Sequence, residues 1–139
     1  MFSMRYATEH DEVFWFSLDK HLARSEYALK VRDGRAYVIG DGETLIGIFR
    51  YNLFLDIIPF LTEIYLEESH RGKGFGRQAM AFWENEMRDN GHPMVMLSTM
   101  VDEDAQHFYR KLGYADKGSV VFDIPPFEQP LEMFMAKRL

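Results

Sequence analysis

The stretch that most limits what this chain can fold into is Ile64-Tyr65-Leu66-Glu67-Glu68-Ser69-His70-Arg71-Gly72-Lys73-Gly74-Phe75-Gly76-Arg77. It reads as the end of an apolar strand, a short polar hinge, three alternating glycines and the start of a helix. Alternating glycines let the backbone come close to a ligand, and the first N–H groups of a helix have no partner inside it. Arg71, Lys73 and Arg77 fall within seven residues of a chain whose formal charge is −6. A local positive patch at a helix N-terminus suits a pyrophosphate.

Two better-known phosphate loops do not fit. A Walker loop has Gly-Lys followed by Ser or Thr, whereas Lys73 is followed by Gly74. A dinucleotide fingerprint has the spacing G-x-G-x-x-G and an acidic residue closing the next strand. Here the glycines stand at 72, 74 and 76, and the next strand closes with Leu97-Ser98-Thr99.

On either side of the loop the chain reads as alternating strands and helices. Residues 2–7 form a first strand, after which Thr8 caps a helix reaching about His21, with Asp11 in place of the usual Glu of a capping box. Ser25 caps a second helix over 26–31, ended by Asp33-Gly34. Strands follow at 36–40 and 45–53 around Asp41-Gly42, a hairpin signal, and then at 57–66, apolar on both parities apart from Glu63. The helix after the glycines spans about 74–90 and buries Phe75, Ala79, Trp83 and Met87, until Gly91 and Pro93 stop it. A strand at 94–99 completes a βαβ unit. Asp102 caps a further helix with Ala105, Phe108 and Leu112 inward, Tyr109 at the border of that stripe and Gly113 as its stop. Strands at 118–122 and 131–137 close the chain, joined by a loop holding Pro125, Pro126 and Pro130.

Arg71-x-x-Gly74-x-Gly76 resembles the acyl-coenzyme A loop of the GCN5-related N-acetyltransferases, the GNAT family, in which Gln or Arg opens the pattern and Gly or Ala closes it. Ala105-Gln106-His107-Phe108-Tyr109-Arg110-Lys111-Leu112-Gly113-Tyr114 resembles that family's second signature, a short helix with a Phe-Tyr pair ended by Gly and an aromatic. The two signatures stand in the family's order with a strand between them. The resemblance implies a single α/β domain over residues 1–139: a mixed, partly splayed sheet with helices on both faces. It also implies acetyl-CoA as acyl donor and transfer to a primary amine of a small molecule or protein. Alternatives of another class are a sensor that holds coenzyme A or an acyl-CoA without transferring the acyl group, and an interaction module whose exposed strand pairs with another protein.

Acyl transfer from a thioester needs a neutral amine, a stabilised oxyanion and a leaving thiolate. By resemblance, Arg71, Gly72, Lys73, Gly74, Phe75, Gly76 and Arg77 hold the pyrophosphate. Backbone groups of Ile64, Tyr65 and Leu66 face the pantetheine arm and the thioester oxygen, and Phe108, Tyr109 and Asp102 complete the binding set. Asp102 departs from the Asn common at its position, losing an amide donor and gaining a charge. Tyr109 is the expected general acid, because a phenol with a pKa near 10 stays protonated at neutral pH; its packing alternative is a contact with Tyr114. Glu63 is the expected base, with water alone as the rival. Trp15, Phe16, His21, Arg24 and the proline loop are candidates for acceptor recognition, although Trp15 and Phe16 also read as core.

At 139 residues and 47% apolar content the chain suits one domain with a substantial core. Net acidity argues against nucleic acid as partner. No apolar run approaches the roughly 20 residues of a membrane span, and the N-terminus lacks a basic segment followed by an apolar one, which points to a cytoplasmic protein. There is no cysteine, and the five histidines lack metal-ligand spacing. Dimerisation through the closing strands or the proline loop is compatible with the sequence.

Overall fold

The computed structural model describes residues 1–139. Its strands are β1 (Phe2–Tyr6), β2 (Ala36–Asp41), β3 (Thr44–Phe54), β4 (Ile58–Leu66), β5 (Met94–Met100), β6 (Ala115–Val120) and β7 (Glu132–Arg138). Its helices are α1 (Glu12–Leu18), α2 (Arg24–Asp33), α3 (Phe75–Asp89) and α4 (Ala105–Lys111). The strands belong to a mixed seven-stranded sheet in the order β1-β2-β3-β4-β5-β7-β6. The chain packs as two units, one of Met1–Asn52 with Leu61–Glu86 and one of Leu53–Phe60 with Met87–Leu139.

In the first unit β2 pairs antiparallel with both β1 and β3, with Tyr37 opposite Tyr6 and Phe49, and Val38 opposite Ile48. Side chains alternate across a strand, so this register sorts the residues by face. Ala36, Val38 and Ile48 lie under Trp15 and Tyr27 of α1 and α2. Tyr37, Phe49 and Tyr51 meet Phe82 and Trp83 of α3 at ring separations of 5.3–6.2 Å. Helices therefore cover both faces of this part of the sheet, as expected. Two phenols share one carboxylate on the α3 side, Tyr37 donating to Glu86 Oε1 at 2.5 Å and Tyr6 to the same oxygen at 2.8 Å. Burial and that acceptor push the Tyr37 phenol far up, while Tyr6, held chiefly by the Glu86 bond, rises to about 12.

The capping box forms, within a 3-10 turn over Glu9–Asp11. Thr8 Oγ1 accepts from the His10 N–H at 3.2 Å and Asp11 Oδ2 accepts from the Thr8 N–H at 2.8 Å. The Arg5 fork closes on Asp11 at 2.8 and 2.9 Å and, more than any other contact, holds its carboxyl below the usual range. α1 stops at Leu18, three residues short of expectation. Asp19 turns the chain by accepting from the N–H groups of His21 and Leu22 at 3.0 and 3.2 Å. α2 begins at Arg24 with Ala23 at its N-cap, so Ser25 lies inside the first turn and caps nothing. Gly34, at φ 68°, ends it by donating to the carbonyls of Lys30 and Val31.

In the second unit β7 pairs antiparallel with β5 and β6, Leu97 opposite Met135 and Gly118 opposite Phe134. The register shifts between Asp116 and Gly118, which gives β6 a bulge at Lys117. Phe134 meets Phe54 and Phe60 at about 6 Å. Residues 121–131 form the proline loop, exposed throughout, with a cis bond between Pro125 and Pro126.

Candidate functional site

The site in the first unit begins where β4 ends. A Cβ at Gly47 of β3 would stand 2.8 Å from the Tyr65 carbonyl oxygen and 2.6 Å from Leu66 Cδ2, so only glycine lets the end of β4 lie this close. The Glu67 N–H donates to the Ile46 carbonyl at 2.8 Å, which ties that end to β3. A 3-10 turn over Glu68–His70 follows, and the His70 N–H donates back to the Glu67 carbonyl at 2.9 Å. Arg71 is extended, and its side chain folds back: Nε donates to the Leu66 carbonyl at 3.0 Å, and the guanidinium lies 4.9 Å from the centre of the Tyr65 ring.

From there the chain turns on two left-handed residues, Gly72 at φ 73° and Gly74 at φ 89°. A Cβ at Gly72 would meet nothing within 4 Å, so the requirement there is the backbone angle rather than crowding. The first bond of the following helix runs from the Gln78 N–H to the Gly74 carbonyl at 3.1 Å. The N–H groups of Phe75, Gly76 and Arg77 therefore precede the helical ladder, beside the exposed side chains of Lys73 and Arg77. This arrangement fits a pyrophosphate, which needs fixed N–H donors, a helix N-terminus and nearby cations.

The β2–β3 hairpin approaches this turn with one acid. Asp41 Oδ2 is 3.9 Å from His70 Nε2, and His70 meets Phe75 edge-on at 5.9 Å. The Asp41 carboxyl is held low chiefly by the N-terminal ammonium, with smaller contributions from His70 and Lys73.

Glu63 lies on the α1–α2 side of β4, with Oε2 3.9 Å from Arg50 Nη2. Arg50 in turn donates from Nε to Asp19 Oδ2 at 2.9 Å, and Trp15 Nε1 donates to the same oxygen at 3.1 Å. The Asp19 and Arg50 side chains are 0% and 7% exposed. Burial alone would push the Asp19 carboxyl up, but the N–H groups of His21 and Leu22 together with Arg50 outweigh it and hold it low. Sequence reasoning missed this chain of charges, because its members are 31 and 13 positions apart and no local pattern joins them.

The second unit holds the other expected residues. α4 has Asp104 at its N-cap and no side-chain cap, so Asp102 is not the cap expected of it; it is exposed in the turn before the helix. The Gln106 side chain fastens that turn instead, donating to the carbonyls of Val101 and Glu103 at 2.8 and 2.9 Å. The inward stripe is also corrected: Tyr109 is 8% exposed and Phe108 is 36% exposed, the reverse of the expected order. Tyr109 meets Phe108 at 5.3 Å and Tyr114 at 6.0 Å, and Gly113 at φ 99° ends the helix. No three acidic or histidine side chains are grouped as a metal ion would need. No helix is long and apolar enough to cross a membrane.

Over residues 3–114 the chain matches the model of the acetyltransferase (GNAT) family. No curated protein matches it significantly. Among solved structures it is similar to the ribosomal-protein-S18-alanine N-acetyltransferase from Escherichia coli, with a TM-score of 0.81 and 14% identity over 99% of this chain and 94% of that one. Ard1 from Thermoplasma volcanium gives 0.84 and 14% over 99% and 97%. A Bacillus subtilis acetyltransferase in complex with CoA gives 0.77 and 16% over 100% and 99%. At these identities the likeness is one of fold.

Proposed function

The chain belongs to the acetyltransferase (GNAT) family, and on that footing we propose that it moves an acetyl group from acetyl-CoA directly to a primary amine of a small molecule or protein. The observation that carries this reading is the left-handed turn at Gly72 and Gly74 opening onto the start of α3 between Arg71, Lys73 and Arg77. In it the N–H groups of residues 72–77 hold the pyrophosphate. The backbone of Ile64, Tyr65 and Leu66 holds the pantetheine arm and the thioester oxygen, and donors of that kind contribute about 3–4 kcal/mol to an oxyanion. Phe108 and Asp102 complete the donor site.

Tyr109 donates its phenolic proton to the departing thiolate. Glu63 takes the proton of the attacking amine, with Arg50, 3.9 Å away, keeping its carboxylate in place. The acceptor lies against the α1–α2 connection, where His21 and Arg24 are exposed. A cytoplasmic location and a homodimer through β6 or the proline loop belong to the same proposal; the exposure of Val121, Ile124 and Phe127 supports the dimer, and sedimentation tests it.

Thermal unfolding with acetyl-CoA, CoA, ATP and NAD at matched concentrations tests the donor site. A ligand at about 100 times its Kd adds about 2.7 kcal/mol of stability. Stabilisation by acetyl-CoA and CoA alone, followed by amine-dependent thiol release, is the expected result. No shift with either coenzyme A species overturns the assignment.

A further inference from the structure

The last turn of α2 carries an amine in unusual surroundings. Lys30 is half-buried, and its Nζ donates to the Tyr51 main-chain carbonyl at 2.6 Å, a neutral partner rather than a carboxylate. A cavity beside it is lined by Glu26, Leu29, Lys30, Arg32, Asp33 and Arg35. Of the two acids there, Asp33 is engaged by the Arg32 fork at 2.9 and 3.2 Å. The charges facing Lys30 come from three elements: Glu26 and Asp33 from α2, Arg35 from the turn into β2, and Arg50 from β3. Burial, then Arg50 and Arg35, hold the Lys30 ammonium below the usual lysine range against the weaker pull of Glu26 and Asp33.

An amine that is partly desolvated and set beside other cations is the environment that makes lysine a nucleophile. We propose that Lys30 is a nucleophilic lysine and a modification site, accepting an acyl group from a small anionic activated donor of the acyl phosphate or acyl thioester class. Arg35, unlike the Asp33-paired Arg32, supplies the cation that draws such an anion into the cavity. The neutral amine's lone pair attacks the acyl carbon and forms the C–N bond. The C–O bond to phosphate or the C–S bond to the thiol breaks, the leaving group departs with the electron pair, and one Nζ proton passes to water. The product amide carries no charge, so modification also removes the repulsion of Lys30 by Arg50 and Arg35.

The test incubates the full chain with acetyl phosphate and, separately, with acetyl-CoA, following each of the six lysines by peptide mass spectrometry. Lys20 is the internal comparison, because its exposed ammonium also donates to carbonyls, those of Phe16 and Ser17 at 3.3 and 3.1 Å. At about pH 7 Lys30 is expected to acetylate at least about threefold faster than Lys20, and the ratio is expected to shrink at about pH 9, where both amines are more nearly neutral. Labelling in one arm alone identifies the donor as phosphate or thioester. Arg35→Gln, with unchanged circular dichroism, is expected to slow Lys30 and leave Lys20 as it was. Labelling of Lys30 no faster than Lys20 in both arms at the lower pH, or an unchanged ratio in Arg35→Gln, overturns the proposal. The acetyl phosphate arm does not require the glycine turn, so it stands or falls separately from the transferase reading.

Discussion

Replacing Arg50 with Met tests the buried charge chain directly. In the native chain the Arg50 Nε lies 2.9 Å from Asp19 Oδ2, with both side chains almost wholly out of water. The substitution keeps the apolar stem and removes the cation, leaving a buried carboxylate with three neutral donors, Trp15 Nε1 and the N–H groups of His21 and Leu22. Breaking a buried pair on one side costs about 3–5 kcal/mol, and the three surviving donors place this case near the lower end, about 3 kcal/mol. With a urea slope of about 1.5–2 kcal/mol/M, the midpoint falls by about 1.5–2 M.

The pH response gives a second reading of the same change. Asp19 titrates lower in the folded chain than in the unfolded one, so its contribution is present above the unfolded carboxylate value, about 3.9, and is lost as pH falls through the folded value. Without Arg50, burial is opposed by fewer groups and the folded value rises, so acid unfolding begins at higher pH. Asp19→Asn combined with Arg50→Met removes both charges and is expected to recover part of the loss. An Arg50→Met cost below about 1 kcal/mol, with the acid limb unmoved, would refute the reasoning: the main-chain N–H groups would then hold Asp19 without the guanidinium.

Gly47→Ala drives a methyl group into the Tyr65 carbonyl, so a stability loss of about 1–3 kcal/mol is expected together with a raised KM for acetyl-CoA. Equal KM values would separate the β4 end from the donor site. Gly74→Ala at φ 89° costs about 1–2 kcal/mol of backbone strain, and calorimetry is expected to show weaker CoA binding. Tyr109→Phe should keep the KM for acetyl-CoA and lose kcat by roughly 10²-fold, whereas unchanged turnover removes Tyr109 from the mechanism. Glu63→Gln should abolish the acidic limb of the pH–rate profile; a profile identical to the native one assigns that limb to another group.

What was legible in the sequence was what local pattern determines. Strand periodicity, the Asp41-Gly42 hairpin and the glycine turn into α3 all depend on residues close in the chain, and each was found within a residue or two, with one exception. β6 runs Ala115–Val120, three residues ahead of the 118–122 expected, because Ala115 and Asp116 pair with β7 across the bulge at Lys117. Errors arose where a side-chain contact, near or far in the chain, decides instead of the apolar or glycine pattern. α1 ends early because Asp19 is occupied by its own turn and by Arg50, and helical spacing carries no trace of Arg50. In α4, two turns long, apolar spacing placed Phe108 inward, whereas Tyr109, packed against Tyr114, is the buried residue. Asp102 and Asp104 are both good cap residues two positions apart, and the Gln106 side chain, bonded to the carbonyls of Val101 and Glu103, fastens the turn that selects between them.

The register of β2 and β3 also makes the first unit its own optical instrument. The chain has two tryptophans, both 0% exposed, and the register sends them to opposite faces: Trp15 over Ala36, Val38 and Ile48, and Trp83 against Phe49 and Tyr51. Trp15 donates to a carboxylate, whereas Trp83 lies among rings, so the two indoles sit in electrostatically different surroundings. Trp15→Phe or Trp83→Phe leaves one emitter per molecule. Fluorescence decay in the two variants then times the loosening of each face separately, without an introduced dye.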